Sequence, residues 1–104
     1  MSYIIIFTTT SDKDSAQKIA DELIAQNLAS CVSFAGIFST YKWQGRVCRE
    51  EEIELGIKTK AKNYKKIKKL IKSLHAYETP QIIAVKIAQG SRGYLKWIDK
   101  TLKG

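Results

Sequence analysis

The stretch Ala29 to Thr59, ASCVSFAGIFSTYKWQGRVCREEEIELGIKT, decides the fold. From Ala29 to Tyr41 it is rich in Cys, Val, Phe, Ile, Ser and Thr, a composition that suits a pleated, half-buried segment. From Val47 to Thr59 it alternates, with Ile53, Leu55 and Ile57 on one face and Glu52, Glu54 and Lys58 on the other, the period of a strand that turns one face to a core. Gln44-Gly45 between the two is a turn signal, so the strands form an antiparallel hairpin flanked by Tyr41, Trp43 and Arg46. Arms of about a dozen residues extend ~40 Å at ~3.3 Å per residue, more than one small sheet covers. The hairpin is therefore expected to project beyond its own domain and to need a partner for its apolar face and free edges.

Working outward, Tyr3-Ile4-Ile5-Ile6-Phe7 is short, β-branched and aromatic, and reads as a buried central strand feeding the turn Thr8-Thr9-Thr10-Ser11-Asp12. Ala16, Ile19, Ala20, Leu23, Ile24 and Leu28 share one helical face, which predicts a helix over about 13–27 with Ser11 or Asp12 as its cap. After the hairpin, Ala61, Tyr64, Ile67, Leu70, Ile71 and Leu74 form the buried stripe of a second helix, and six lysines fill the rest of its surface. Pro80 breaks the chain before a fourth strand over 81–87, and Gly90-Ser91 precede a last helix with Tyr94, Leu95, Ile98 and Leu102 inward. The order β-α-β-β-α-β, then α, is the ferredoxin-like split βαβ: an α+β fold with a four-stranded antiparallel sheet and two helices on one face.

Composition sets the outer limits. With 104 residues, 18 Lys+Arg and 10 Asp+Glu, the chain carries +8 and amounts to a single domain over 1–104, which excludes a two-domain enzyme. An apolar share of 44% with one Pro and six Gly excludes disorder, since that much apolar surface offsets the entropy of ordering. Two cysteines are too few for a disulfide framework, and Met1-Ser2-Tyr3 leads straight into the apolar strand without a basic segment, so a cytoplasmic location is expected. The longest uninterrupted apolar run, Tyr3 to Phe7, is far short of the ~20 residues that span a bilayer.

Four separated motifs carry a family resemblance. Ser39-Thr40-Tyr41-Lys42-Trp43-Gln44-Gly45 is followed by Glu52, Leu55 and Lys58-Thr59, then by His75-Ala76-Tyr77-Glu78-Thr79-Pro80, then by Tyr94-Leu95-Lys96-Trp97-Ile98. With Thr9-Thr10 before the first helix and Leu28-Ala29-Ser30-Cys31-Val32 after it, the chain resembles the CutA family of divalent cation tolerance proteins along its whole length. The resemblance implies a homotrimer and a role in divalent cation tolerance or the response to metal ions, with copper or another divalent cation as a non-obligatory ligand. Some copper-binding members carry a Cys at the end of strand one and a second His before the His-Pro-Tyr motif; here those positions are Thr8 and Leu74. CutA also looks like the trimeric PII signalling proteins, whose ligands sit between subunits. Such clefts here would be lined by Lys58, Tyr77 and Trp97 and could hold a small anion, which makes a regulatory trimer with a small-molecule or protein partner the alternative function.

The residues themselves support a candidate metal set of His75, Glu78 and Cys48, because imidazole suits copper and zinc and carboxylate or thiolate completes such sites. The competing role for His75 is a helix-end histidine bonded to backbone carbonyls. Cys31, in an apolar strand, is expected in the core, and Cys48, near the polar hairpin end, is the more reactive thiol. Glu50, Glu52 and Glu54 share a strand face and are expected to meet Lys or Arg of an adjacent subunit. Tyr41 and Trp43 are expected at the trimer interface. No RNA-recognition signature or phosphate loop accompanies the six lysines, so their face is assigned to solvent and no nucleic acid is expected. No nucleophile motif pairs with His75, no catalytic residue is assigned, and the chain is not expected to be an enzyme.

Overall fold

Strand β1 (Tyr3–Thr10) lies inside a four-stranded antiparallel sheet of order β2-β3-β1-β4, where β2 is Cys31–Trp43, β3 is Arg46–Lys60 and β4 is Ile83–Lys86. The computed structural model describes residues 2–103; Met1 and Gly104, the ends of the expected domain and the start of the leader reading, lie outside them. Helices α1 (Lys13–Ala25), α2 (Tyr64–Leu74) and α3 (Arg92–Thr101) complete the chain, with a 3-10 turn at Ala61–Asn63 leading into α2. The element order and strand order are those of the split βαβ arrangement.

Strand alternation divides the sheet into two unlike faces. Ile4 and Ile6 of β1 and Leu55 and Ile57 of β3 are buried against Ala16, Ile19 and Leu23 of α1 and Ile67 and Ile71 of α2, with Val32 and Phe34 of β2 beside them. The opposite face carries Ile5, Phe7, Lys58, Ile83 and Val85, and Ile83 and Val85 are each 49% exposed. Only one end of that face is covered, by α3: Tyr3 and Lys60 pair across the sheet there, the Tyr3 hydroxyl donates to Asp99 at 2.9 Å, and Lys60 Nζ stands 2.6 Å from the same carboxylate. The Lys60 ammonium, then the Tyr3 hydroxyl, hold the Asp99 carboxyl below its ordinary value.

Local chemistry explains where elements begin and end. Asp12 caps α1 by accepting from the Ser15 amide at 2.7 Å, and the helix stops at Ala25, two residues short of expectation, as Asn27 takes the left-handed conformation at φ 55°. The hairpin strands run closer to the turn than expected, since Trp43 pairs with Arg46 and leaves only Gln44 and Gly45, at φ 51° and 76°. Positive φ at both central residues is what a type I′ hairpin turn requires. Pairs from Ile37↔Glu52 to Trp43↔Arg46 lie beyond the end of β1, and the molecule measures 44 × 26 × 21 Å. Strand β4 is shorter than the 81–87 run because Gln81 and Ile82 do not pair with β1, although the Ile87 amide still donates to Tyr3 O.

Four expectations are corrected. Tyr94 and Ile24, expected on the buried faces of the last and first helices, are 41% and 45% exposed. Cys31 is half-exposed rather than core, because it stands opposite Lys58 on the face away from α1 and α2. The second helix is α-helical only from Tyr64, since the Asn63 side chain does not cap it and instead donates to Leu28 O and Thr59 Oγ1.

Thr59 is fully buried, and its hydroxyl donates to Leu28 O at 2.6 Å, tying the end of β3 to the chain that leaves α1. Thr59→Val keeps the shape and removes both that bond and the one Thr59 Oγ1 accepts from Asn63, so it is expected to cost about 1–3 kcal/mol. Urea unfolding at fixed protein concentration should show a lower midpoint at unchanged slope.

Candidate functional site

His75 ends α2, where the backbone passes into an extended conformation at φ −86°, ψ 138°. The Tyr77 amide donates to His75 Nδ1 at 3.0 Å, so that nitrogen is an acceptor and the ring proton lies on Nε2, which donates to Thr9 O at 2.6 Å. Both nitrogens of the neutral imidazole are thereby spent on the backbone. The Tyr77 ring stands 4.7 Å from the imidazole, tilted by 54°, and its hydroxyl donates to Glu52 Oε2 at 2.8 Å. Thr9, His75, Tyr77 and Glu52 thus form a continuous chain of contacts from the end of β1 through the loop after α2 to β3.

Glu52 is 7% exposed, and the Glu50 carboxylate two residues away accepts the Tyr41 hydroxyl at 2.6 Å. Within the chain these two acids each accept a phenol hydroxyl. The Glu50 carboxylate, and then burial, raise the Tyr41 phenol to about 12; burial, and then Glu52, push Tyr77 up as well. Alternation in the hairpin makes the Tyr41–Glu50 pair readable, since both lie on the face of Cys48. Tyr77–Glu52 spans 25 residues and has no local signal.

The metal set His75, Glu78 and Cys48 is not gathered within the chain. Cys48 faces Tyr41 on the projecting hairpin, ~13 Å along β3 from Glu52 at ~3.3 Å per residue. Glu78 is exposed, and among the described residues no group of three His, Cys, Asp or Glu side chains could hold a metal ion. The void beside His75, bounded by Thr10, Ser15, Leu74 and Tyr77, is about 10 Å³, room for one water. Thr8 is fully buried with its hydroxyl unpartnered, and Leu74 packs on the core.

The cleft residues also divide. Lys58 Nζ donates to Ser33 Oγ at 3.3 Å, and Trp97 lies on Tyr94 with ring centroids 5.5 Å apart. Burial, then the adjacent Cys31 thiol, raise the Tyr94 phenol, and Cys31 pairs with Lys58, so Trp97 and Lys58 share one end of the sheet face. Tyr77 is anchored on Glu52, six residues up β3 or ~20 Å away. Lys58, Tyr77 and Trp97 line one cleft only if different copies of the chain supply them. A groove of about 470 Å³ between α1 and β2, bounded by Lys13, Asp21, Ile24 and Phe34, contains none of these residues.

A family model described as the CutA1 divalent ion tolerance protein matches residues 4–101. The chain belongs to the CutA1 family. The divalent-cation tolerance protein CutA of Thermus thermophilus is 38% identical over 95 residues, covering 90% of this chain and 92% of that protein. The solved structure of the periplasmic divalent cation tolerance protein CutA of Archaeoglobus fulgidus superimposes with a TM-score of 0.95 at 31% identity, covering 97% of this chain and 99% of that one. CutA of Xylella fastidiosa superimposes with a TM-score of 0.93 at 36% identity, covering 99% and 100%. The CutA1 fold is thus present along nearly the whole chain, hairpin included.

The raised Tyr41 phenol gives a pH dependence with a definite sign. The folded state holds the proton more tightly than the unfolded chain does, so this contribution is complete below pH 10 and is lost as pH rises from 10 to about 12. Tyr41→Phe should remove the part of the phenolate absorbance that titrates near pH 12 and flatten the fall in melting temperature across that interval.

Proposed function

We propose that the chain acts as a homotrimer in the cellular response to divalent cations, in the role for which its CutA1 relatives are named, and without enzymatic activity. The observation that carries this reading is the placement of the exposed apolar side chains. Phe38, Tyr41, Trp43 and Val47 lie on the overhanging hairpin, and Ile83, Val85, Tyr94 and Trp97 lie on or beside the sheet face that α1 and α2 leave bare. Their distribution suits burial by other copies of the chain, and closed cyclic assembly would also cover the sheet edges. The cytoplasm is the compartment we propose; no described helix is long and apolar enough to cross a membrane.

Within this reading copper is a weak ligand. A copper ion would require His75 to give up a backbone hydrogen bond and would need Glu78 or Cys48 donors from a neighbouring copy. The rival reading, a PII-like regulatory trimer that binds a small anion or a protein partner, is favoured by one observation. The Lys58 ammonium, bonded among the described residues to a serine hydroxyl and to no carboxylate, stands at the end of the face that carries the exposed Tyr94–Trp97 pair.

Light scattering should return three times the chain mass of 11.8 kDa at micromolar concentration; a monomer would overturn the assembly. Trp43→Ala should weaken the trimer and lower its melting temperature. Calorimetric titration with copper should give modest affinity that is lost in His75→Ala, whereas equal affinity in both proteins would move binding to the Glu50–Glu54 carboxylates.

A further inference from the structure

The surface of α2 facing away from the core is built almost wholly of lysine. Ile67 and Ile71 are fully buried, and Lys62 of the preceding 3-10 turn, then Lys65, Lys69 and Lys72 of α2, follow one another at intervals of three, four and three residues along the opposite side, all exposed. At ~1.5 Å per residue the row is ~15 Å long. Lys66 and Lys68 flank it, Lys68 resting 5.8 Å from the Tyr64 ring. Residues 61–74 contain no acid, and among the described residues none of these six ammonium groups has a carboxylate partner. The placement also opposes the helix dipole, because Lys65 and Lys66 occupy a first turn without acids, where anions are normally favoured. Uncompensated like charge on one helix face costs stability, and the core requires none of it.

We propose that this face of α2 docks on DNA duplexes through the phosphate backbone, without reading sequence. A helix about 10–12 Å across matches a major groove about 12 Å wide. Lying along the mouth of that groove, the row and the flanking Lys66 and Lys68 can reach phosphates of both strands on their flexible stems. A flat anionic surface would meet only the outer row. All six cations are lysines, point charges without the guanidinium fork that reads guanine, and no exposed aromatic on this arc could stack on a base.

Fluorescence anisotropy with a short labelled DNA duplex, between about 50 and 200 mM salt, tests the proposal. Six phosphate contacts predict a slope of log affinity against log salt near −5, at about −0.9 per contact. Lys65→Gln/Lys69→Gln/Lys72→Gln keeps good helix formers and should flatten the slope by nearly 3, at about 0.9 per lost contact. Lys18→Gln/Lys96→Gln/Lys100→Gln, with the same net charge but substitutions elsewhere, should change it by less than about 1. The proposal is overturned by absence of binding at the low-salt end, by equal losses in the two folded variants, or by tighter α2-dependent binding to phosphatidylserine vesicles or polyglutamate than to the duplex.

Discussion

Strand β3 is hydrogen-bonded along both edges, to β2 from Arg46 to Lys58 and to β1 from Ile53 to Lys60, and its alternation assigns every other part of the molecule to a side. Leu55, Ile57 and Thr59 point into the core that α1 and α2 close, while Glu52, Lys58 and Lys60 point the other way. A slip of one residue would exchange these sets and put three charges under the helices. The polar set on the second face does separate work: Lys60 anchors α3 through Asp99, Lys58 reaches Ser33, and Glu52 receives the loop after α2 through Tyr77.

The fold was legible because its signals are local and periodic. The alternation from Val47 to Thr59, the β-branched run at Tyr3 and the helical spacing of two apolar stripes each report on burial of a neighbouring element, and together they fix the topology. Element ends were harder, since they depend on single-residue events such as the left-handed Asn27 and the diversion of the Asn63 side chain to Leu28. Exposure of Cys31 is not legible in its strand, because an apolar strand does not reveal which of its two faces lies under a helix; register with β3 puts Cys31 opposite Lys58, away from α1 and α2.

The site was only partly legible for a related reason. His75 was identifiable as a residue of interest, and its weighing between metal ligand and helix-end anchor turned on contacts with Thr9 and Tyr77 that residue type alone does not specify. The imidazole here serves as a two-sided clamp, accepting from one backbone amide and donating to one backbone carbonyl, so it holds a single tautomer without help from a carboxylate. Glu52 and Glu50 each accept a phenol hydroxyl of their own chain, and the Tyr77–Glu52 contact, spanning 25 residues, has no local sequence signal. The likeness to CutA1 structures assigns the family firmly, whereas within one chain His75, Glu78 and Cys48 stand apart, as do Lys58 and Tyr77.

The pairing order has a consequence for the time before the protein is folded. The β2–β3 hairpin closes across two residues and can form as soon as it is made, but β1 pairs with β3 only after some fifty residues of intervening chain, and with β4 later still. Contacts of such separation pay loop-closure entropy before they return anything, and they slow folding. Ile4, Ile5, Ile6 and Phe7, the most β-prone segment of the chain, are synthesised before both of their strand partners and gain the second one last. During translation this segment is an unpaired apolar strand, so crowding between nascent chains, rather than the stability of the finished domain, is the step at which aggregation competes.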